Sequence, residues 1–249
     1  MADVDRAALV EKIAAELGIS QANGKKILEA FEHTYVQPLL DQLRSRGIRQ
    51  LLSRKNPYLY RASGVATCEE LVERAFADYL SSSTETLFGN FLEAVAVIVS
   101  GGYKSATQGI DIERRVGGGG TRVELYVLKS GPAGFNSASL RDAERALQTA
   151  EALLRQGGVT AEKFIAFAYG RKKTSFLRGI HRLSSQELWR RIGGRDDFYI
   201  CLLRMCALLG PLYQADIQVA RQRLLDESRK KFCLGSDIDW EAVLEAASG

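Results

Sequence analysis

Two strand-like segments on either side of a glycine run constrain the fold of this chain more than any other feature. The first, QGIDIERRV, alternates apolar and charged residues, and the second, TRVELYVLKS, is rich in β-branched and aromatic residues. The four glycines between them, residues 117–120, predict the turn of a β-hairpin. They do not predict a phosphate-binding loop, because no Gly-Lys-Ser/Thr follows them and no helix is expected to begin there.

Helical periodicity dominates the first hundred residues. Apolar residues recur at helical spacing between residues 9 and 17 and again between residues 25 and 52. Farther along, a capping box at Thr67 predicts the start of one helix, and a second capping box at Ser82 predicts the start of another. The second helix is apolar on nearly every side, so we expect it to be buried. Glu93 within it needs a hydrogen-bond partner, a cation or a position that faces solvent.

The segments after the hairpin alternate in type. We expect a helix from about residue 138 to 155, a strand at KFIAFAYG, a basic loop at GRKKTSFLRGIHRL, and helices near residues 196–209, 213–230 and 237–247. The chain is therefore expected to form a mixed α/β fold, with a sheet of about four or five strands flanked by helices. An N-terminal helical region precedes this core.

Composition narrows the class of protein. The chain has 249 residues, of which 46% are hydrophobic and 26% charged, as in an ordinary soluble globular protein. No apolar run is long enough for a membrane span and no signal core is evident, so a cytoplasmic location is expected. The net charge of +4 permits an acidic partner such as nucleic acid without requiring one.

The four cysteines do not suggest a metal site. They form no CxxC pair, and only two histidines could assist them, so no zinc site is expected. We interpret all four cysteines as reduced and mostly placed in the core.

Three charged residues of the hairpin could form a reactive cluster. Asp111 and Glu113 are two apart on a strand and therefore share a face, while Lys129 ends the partner strand. Should Glu93 join them, clustered carboxylates would surround an ammonium group, an arrangement that binds Mg²⁺ and supports phosphodiester hydrolysis. A plain salt bridge between strands explains the same spacing, and spacing alone favours it.

Several blocks of sequence occur in a specific order. They are SSSTETLFGNFLE at 81–93, YKSATQGIDIE at 103–113, VLKSGPAGFN at 127–136, AYGR at 168–171 and LWRRIGGRDDFY at 188–199. Together they resemble the PD-(D/E)XK nucleases, and more closely a group of small type II restriction endonucleases. The resemblance covers roughly residues 56–205 and leaves the N-terminal helices largely outside it.

This resemblance implies a restriction-endonuclease-like core and the hydrolysis of double-stranded DNA at a short, specific, palindromic sequence. It implies dependence on Mg²⁺, with Mn²⁺ as a substitute and Ca²⁺ supporting binding without cleavage. A homodimer is expected, with a cognate DNA methyltransferase in the same cell as a functional partner. Residues 1–55 would serve DNA binding or dimerisation, and residues 56–249 would form the nuclease domain. Another DNA nuclease of the same fold and a catalytically impaired DNA-binding relative remain as alternatives.

The resemblance also assigns roles to particular residues. Asp111 would be the metal-binding acid, Lys129 the lysine of the motif, and Glu93 a further ligand or the holder of a metal-bound water. The second acid of the family, two residues before the lysine, is Val127 here, and valine cannot bind Mg²⁺. Glu113 is the nearest replacement by geometry, and the helix after the lysine strand offers two more acids, Asp142 and Glu144. Glu124 is disfavoured because it points to the other face.

The remaining predicted contacts are to DNA. The basic segment is expected to neutralise phosphates or to read guanine through Arg171, Lys172, Lys173, Arg178 and Arg182, although a solvated loop is the alternative. Ser130 would help to turn the backbone close to the scissile phosphate. Asn136 would either hydrogen-bond in that turn or cap the next helix.

Overall fold

The protein is described here by a computed structural model that covers residues 5–53, 55–117, 121–235 and 237–248. These residues form two compact units. We call residues 5–32 with 88–209 the sheet unit, and residues 33–87 with the described residues from 210 onward the helical unit. The predicted division of the chain at residue 55 does not follow these units, and it stays a prediction about how function is distributed.

The sheet unit is built on a five-stranded mixed sheet with strand order β1-β2-β3-β5-β4. The strands are β1 (Ile112–Val116), β2 (Arg122–Lys129), β3 (Thr160–Phe167), β4 (Ser175–Leu177) and β5 (Ile180–Leu183). Strand β2 pairs antiparallel with β1 and parallel with β3, β3 pairs parallel with β5, and β4 pairs antiparallel with β5. The predicted mixed sheet flanked by helices, with its hairpin strands, is therefore confirmed. Residues 118–120 of the predicted turn lie outside the described residues.

The prediction of a basic loop at GRKKTSFLRGIHRL was wrong, because part of this segment forms β4 and β5. Arg178 and Gly179 make the turn between the two strands with positive φ angles of 54° and 74°. Ile180 and Leu183 are buried. Strand β5 forms backbone hydrogen bonds with β3, which is distant in the sequence. A local run of basic residues does not indicate such pairing.

One face of the sheet packs against α7 (Ser137–Gln156). The helix begins at Asn136, whose side-chain oxygen accepts a hydrogen bond from the Ser139 backbone N–H at 2.8 Å. Ala143, Leu147 and Ala150 then meet the sheet in one apolar cluster with Val123, Leu125, Val127 and Ile165. The structure confirms the predicted helix, and of the two roles considered for Asn136 it has the helix cap.

Aromatic rings and an arginine cover the opposite face of the sheet. Tyr126, Phe164, His181 and Phe176 come from neighbouring strands, and their ring centroids follow one another at 4.7, 5.1 and 4.6 Å. Helix α8 (Ser185–Gly193) places the Arg191 guanidinium 4.4 Å from the Phe164 ring centroid. This face is packed around Phe164, and His181 is part of that packing, whereas Phe176 at the end of the row is 63% exposed.

Four helices complete the description of the sheet unit. They are α1 (Arg6–Leu17), α2 (Gln21–Phe31), α9 (Phe198–Leu209) and residues 88–100 of α6 (Cys68–Ser100).

Helix α6 is continuous, so the predicted start at Ser82 was wrong: the Ser82 hydroxyl donates to the Asp78 carbonyl at 3.1 Å, within the helix. The capping box at Thr67 is confirmed, because Thr67 Oγ1 accepts from the Glu70 N–H at 3.2 Å.

The helical unit contains the remaining elements. They are α3 (Gln37–Ser45), α4 (Ile48–Leu52), α5 (Pro57–Ala62), the first half of α6, α10 (Pro211–Phe232), β6 (Cys233–Leu234), β7 (Asp237–Ile238) and α11 (Trp240–Ser248); a π-helical segment, Glu32–Val36, precedes α3. Among the described residues, no single helix is both long and apolar enough to cross a membrane, although α9 and α10 taken as a pair pass that test by length and composition.

A disulfide joins Cys68 to Cys233 in the helical unit. The expectation that all four cysteines are reduced was therefore wrong for this pair, whereas Cys201 and Cys206 are free. The two bonded residues are separated by 165 positions, and only the tertiary fold brings the start of α6 next to β6, with a Cα–Cα distance of 6.1 Å.

Two of the sequence blocks, 127–136 and 168–171, interlock at one edge of the sheet, just after β2 and β3. The backbone N–H of Tyr169 donates to the Ser130 carbonyl at 2.8 Å. A Cβ added at Gly131 would lie 2.5 Å from the Tyr169 hydroxyl oxygen, and one added at Gly170 would lie 2.5 Å from Pro132 Cδ. The turn after Lys129 is thus held closely against the turn after β3.

We expect Gly170→Ala to lower the free energy of unfolding by about 3 kcal/mol, because it combines a φ of +96° with a clash against Pro132. Gly158→Ala is the matched control: its φ is +74°, but an added Cβ meets nothing within 4 Å, so only about 1 kcal/mol should be lost. Urea unfolding followed by circular dichroism measures both. Equal losses in the two variants would show that the interlocked turns do not constrain each other.

Candidate active site

Asp111 and Lys129 lie at the same edge of the sheet. Asp111 immediately precedes β1, and the backbone N–H of Asp111 donates to the Tyr126 carbonyl at 2.9 Å. In return, the Leu128 N–H donates to Asp111 Oδ2 at 2.6 Å. Both bonds tie Asp111 to the end of β2, whose last residue is Lys129.

Four charged groups act on one another at this edge. Burial raises the pKa of Asp111 above its ordinary value, and the Leu128 N–H opposes that rise. The negative charge of Glu93 raises the same pKa further, whereas Lys129 and Lys104 lower it. Glu93, Lys129 and Lys104 are therefore close enough to Asp111 to interact with it electrostatically.

Lys104 is a member of this cluster that the sequence reasoning missed. Its Nζ donates to Glu93 Oε1 at 3.0 Å. The available signal was its position in the block YKSATQGIDIE, directly upstream of Asp111, but an exposed lysine in an irregular segment has no periodicity that marks it.

Glu113 has other partners. Tyr103 donates its hydroxyl hydrogen to Glu113 Oε1, and the Ser105 hydroxyl donates to Oε2 at 3.1 Å. With both carboxylate oxygens engaged, Glu113 holds the segment from Tyr103 to Ser105 against β1. It is not among the groups that shift the pKa of Asp111.

A cavity of about 680 Å³ opens beside Lys129 and Val127. The Lys129 ammonium lies 5.4 Å from the centroid of the Phe135 ring, which also lines this cavity. Asp142, an exposed residue of α7, lines it as well. Asp142 is thus the acid of α7 that shares a cavity with the lysine and with the valine that replaces the expected carboxylate.

Glu144 and Glu124 are held elsewhere. Glu144 accepts from Arg182 at 2.8 Å and lies 3.8 Å from Arg178. Glu124 is buried on the opposite face of the sheet, where it accepts from Arg191 at 2.5 Å and from the Tyr126 hydroxyl at 2.7 Å. The alternation of side chains along β2 predicts that Glu124 points away from Lys129, and it does.

The predicted DNA-contacting residues separate into two groups. Arg171, Lys172 and Lys173 are exposed and follow β3, which is parallel to β2, so they lie at the same edge of the sheet as Lys129. Arg178 and Arg182 instead approach Glu144, and Arg178 lies in the turn at the opposite edge. The structure brings only the first group to the Lys129 edge.

Ser130, Asn136 and Tyr169 surround the turn after Lys129. Ser130 is half-buried where α6 passes close by: a Cβ added at Gly89 would lie 3.2 Å from Ser130 Cβ. Asn136 caps α7 and is exposed. Tyr169 is also exposed, and the sequence reasoning did not select it although it lies in the block AYGR.

A comparison with protein families relates this geometry to known proteins. The family model described as type II restriction endonuclease EcoO109I matches residues 24–210. The chain belongs to this restriction endonuclease family. The match begins within α2, so it includes N-terminal helices that the sequence blocks left outside. A search of curated proteins finds no match to this chain.

The carboxylates at this edge suit a hard divalent cation better than a metal that needs a full set of protein ligands. Among the described residues, no three His, Cys, Asp or Glu side chains lie close enough together to hold a metal ion. Asp111 and Glu93 supply two carboxylates, and Asp111 uses only one oxygen for the Leu128 N–H. Mg²⁺ in proteins typically takes one or two carboxylates and completes its shell with water and substrate phosphate oxygens.

We expect Asp111→Asn to raise the melting temperature of the metal-free protein at neutral pH. The folded state raises the pKa of Asp111, so ionised Asp111 costs stability above this raised pKa, and the cost disappears below the ordinary value of 3.8. Asparagine removes the charge and can still accept from the Leu128 N–H.

Thermal unfolding in a chelator, from neutral pH down to pH 4, measures this effect. The gain should shrink as the pH falls, and Asp142→Asn serves as an exposed control with the same change in net charge. An Asp111→Asn protein that is less stable than the wild type at neutral pH would contradict the burial argument.

Proposed function

We propose that the chain is a PD-(D/E)XK type II restriction endonuclease that hydrolyses double-stranded DNA at a short, specific, palindromic sequence with Mg²⁺. The proposal rests on the charges of Glu93 and Lys129 acting on the buried Asp111 at one sheet edge, in a chain that belongs to a restriction endonuclease family. The fold alone would not identify the reaction, whereas acids beside a lysine in this family support phosphodiester hydrolysis.

Each residue has a distinct role in the proposed reaction. Asp111 and Glu93 would hold the Mg²⁺, which when bound supplies an activated water and offsets charge on the phosphate. The Lys129 ammonium would neutralise charge that develops on the scissile phosphate and orient the attacking water. Burial of Asp111 and its bond from the Leu128 N–H keep this carboxylate in one orientation.

DNA binding would use the basic residues at the same edge. Arg171, Lys172 and Lys173 would neutralise phosphates next to the cleavage site, and Ser130 would bring the turn after β2 close to the DNA backbone. Arg178 and Arg182 would act farther from the cleaved bond. Asn136 would support this surface by fixing the start of α7.

The biological setting follows from the palindromic target. Two copies related by a twofold axis would each cut one strand, so we propose a homodimer, with residues 1–55 contributing to DNA binding or dimerisation. A DNA methyltransferase in the same cell would protect the host sequence, and both proteins would act in the cytoplasm. Mn²⁺ should replace Mg²⁺ in cleavage, and Ca²⁺ should support binding without cleavage.

Asp142 is the acid that we favour in place of the family carboxylate at Val127. It lines the cavity next to Lys129, whereas the two oxygens of Glu113 accept from Tyr103 and Ser105. Glu144 is held by Arg182. Asp142 would act as an outer partner of the metal site.

Val127, in place of the second acid of the family, also favours a second candidate function: a DNA-binding relative with impaired catalysis. Tight DNA binding in Ca²⁺ with no cleavage in Mg²⁺ or Mn²⁺ would support this alternative. A repair or structure-specific nuclease is the third candidate. Discrete bands from a plasmid digest would distinguish a restriction endonuclease from it.

We expect Lys129→Met to reduce single-turnover cleavage of plasmid DNA at least about 10³-fold, because the variant loses the ammonium at the proposed scissile phosphate. Plasmid binding in Ca²⁺ should change by less than about tenfold, since a single phosphate contact is lost. Lys12→Met, on an exposed position of α1, is the control and should cleave normally. Substantial cleavage by Lys129→Met would remove Lys129 from the proposed mechanism.

The three candidate acids can be separated by neutral substitutions. We expect Asp142→Asn to slow cleavage by about ten- to a hundredfold, the usual effect of losing an outer partner of a metal site. Glu144→Gln should lower the melting temperature through its ion pair with Arg182, with little effect on cleavage by folded protein. Single-turnover rates with parallel melting curves test this order. A larger loss in Glu113→Gln than in Asp142→Asn would reverse the assignment.

A further inference from the structure

Lys104 is a second ammonium group at the Asp111 and Glu93 pair. Its Nζ lies 3.0 Å from Glu93 Oε1, and its side chain is 74% exposed while that of Glu93 is 24% exposed. The ammonium is therefore hydrogen-bonded to one of the two proposed metal-binding carboxylates.

The backbone that carries Lys104 is anchored on both sides. Tyr103 and Glu113 exchange two backbone hydrogen bonds of 2.9 Å each, which attaches Tyr103 to β1. On the other side, Ser105 donates to Glu113 and accepts from the Thr107 N–H at 3.1 Å. A lysine stem that begins at a fixed position and ends in solvent can change partners without moving the backbone.

The two lysines at this edge have different surroundings. Lys129 ends a buried strand and lies over the Phe135 ring, next to the cavity. Lys104 starts from an irregular segment and takes an oxygen of Glu93 directly. An ammonium group bonded to Glu93 Oε1 weakens the binding of a divalent cation to the same carboxylate, because the two positive charges repel each other.

We propose that Lys104 is an internal counter-ion that competes with the divalent cation for Glu93 in DNA-free protein. This inference rests on the proposed metal-dependent function. The metal must either displace the ammonium from Glu93 or bind against its repulsion, so the free protein would bind the metal weakly. The displaced lysine is long and exposed, and DNA phosphate would be its next partner. Lys104 thereby links loading of the metal to the presence of DNA.

Calorimetric titration of Ca²⁺ into DNA-free protein tests this proposal without cleavage as the readout. Lys104→Met should bind Ca²⁺ about tenfold more tightly than the wild type, because a repelling charge of one unit is removed. Lys104→Arg, which keeps the charge, should bind like the wild type. Lys26→Met, at an exposed lysine of α2, controls for the loss of one positive charge elsewhere in the same unit.

A double-mutant cycle with Glu93→Gln isolates the interaction. The gain in Ca²⁺ affinity from Lys104→Met should fall below about twofold in the Glu93→Gln background, because the ammonium then no longer neutralises the Glu93 carboxylate. Melting curves verify folding, and Lys104→Gln replaces Lys104→Met if the latter is unstable.

The outcomes separate this inference from the proposed function. Equal Ca²⁺ affinity in wild type and Lys104→Met, or an equal gain in Lys26→Met, would overturn the role of Lys104 while leaving the metal site intact. Absence of Ca²⁺ binding in every variant, together with absence of Mg²⁺-dependent cleavage, would overturn the metal site and the proposed function with it.

Discussion

The antiparallel pairing of β1 with β2 is the interaction on which the candidate active site depends. Ile112 is paired with Tyr126, so the preceding Asp111 reaches the end of β2 and accepts the Leu128 N–H. Side chains on a strand alternate between faces, and a register slip of one residue would move Asp111 to the face that Arg191 covers. The apolar cluster with α7 on one face and the aromatic stack on the other oppose such a slip.

The site lies at the sheet edge where parallel strands end together. Lys129 ends β2, and the turn after β3 returns Tyr169 to hydrogen-bond with the Ser130 carbonyl. Trp189 of α8 stabilises this turn by donating its indole N–H to the Ala168 carbonyl at 2.7 Å. Three separate sequence blocks therefore support one edge. The site is also electrostatically costly, since burial of Asp111 disfavours its charged form until a cation compensates it.

Local patterns predicted the parts of the fold that local chemistry controls. The alternation around Asp111, the β-branched residues of β2 and the cap at Asn136 each specify an element through neighbouring residues. Tertiary contacts control the rest. Strand β5 forms through pairing with β3, and Cys68 meets Cys233 across 165 positions. Ser82 resembles a helix cap, yet the intact helix gives its hydroxyl a carbonyl partner in the preceding turn.

The candidate site was predictable to a similar extent. Strand parity grouped Asp111 with Glu113 and turned Glu124 away, whereas a meeting of Asp111 with Lys129 depended on how the hairpin strands pair. The partners of Glu113 and the position of Lys104 were not predictable, because both depend on how the irregular segment before Asp111 folds back on β1. The split of the basic segment between two edges of the sheet was not predictable either, because its strands reverse direction at Arg178.

A crystal of the protein with DNA and Mn²⁺ would test the central claim most directly, through the anomalous scattering of the metal. Our account predicts a manganese peak bound by the carboxylates of Asp111 and Glu93, with the Lys129 ammonium directed at the same phosphate. A DNA-bound structure with its manganese elsewhere, or with Asp111 bound only to the Leu128 N–H, would contradict it.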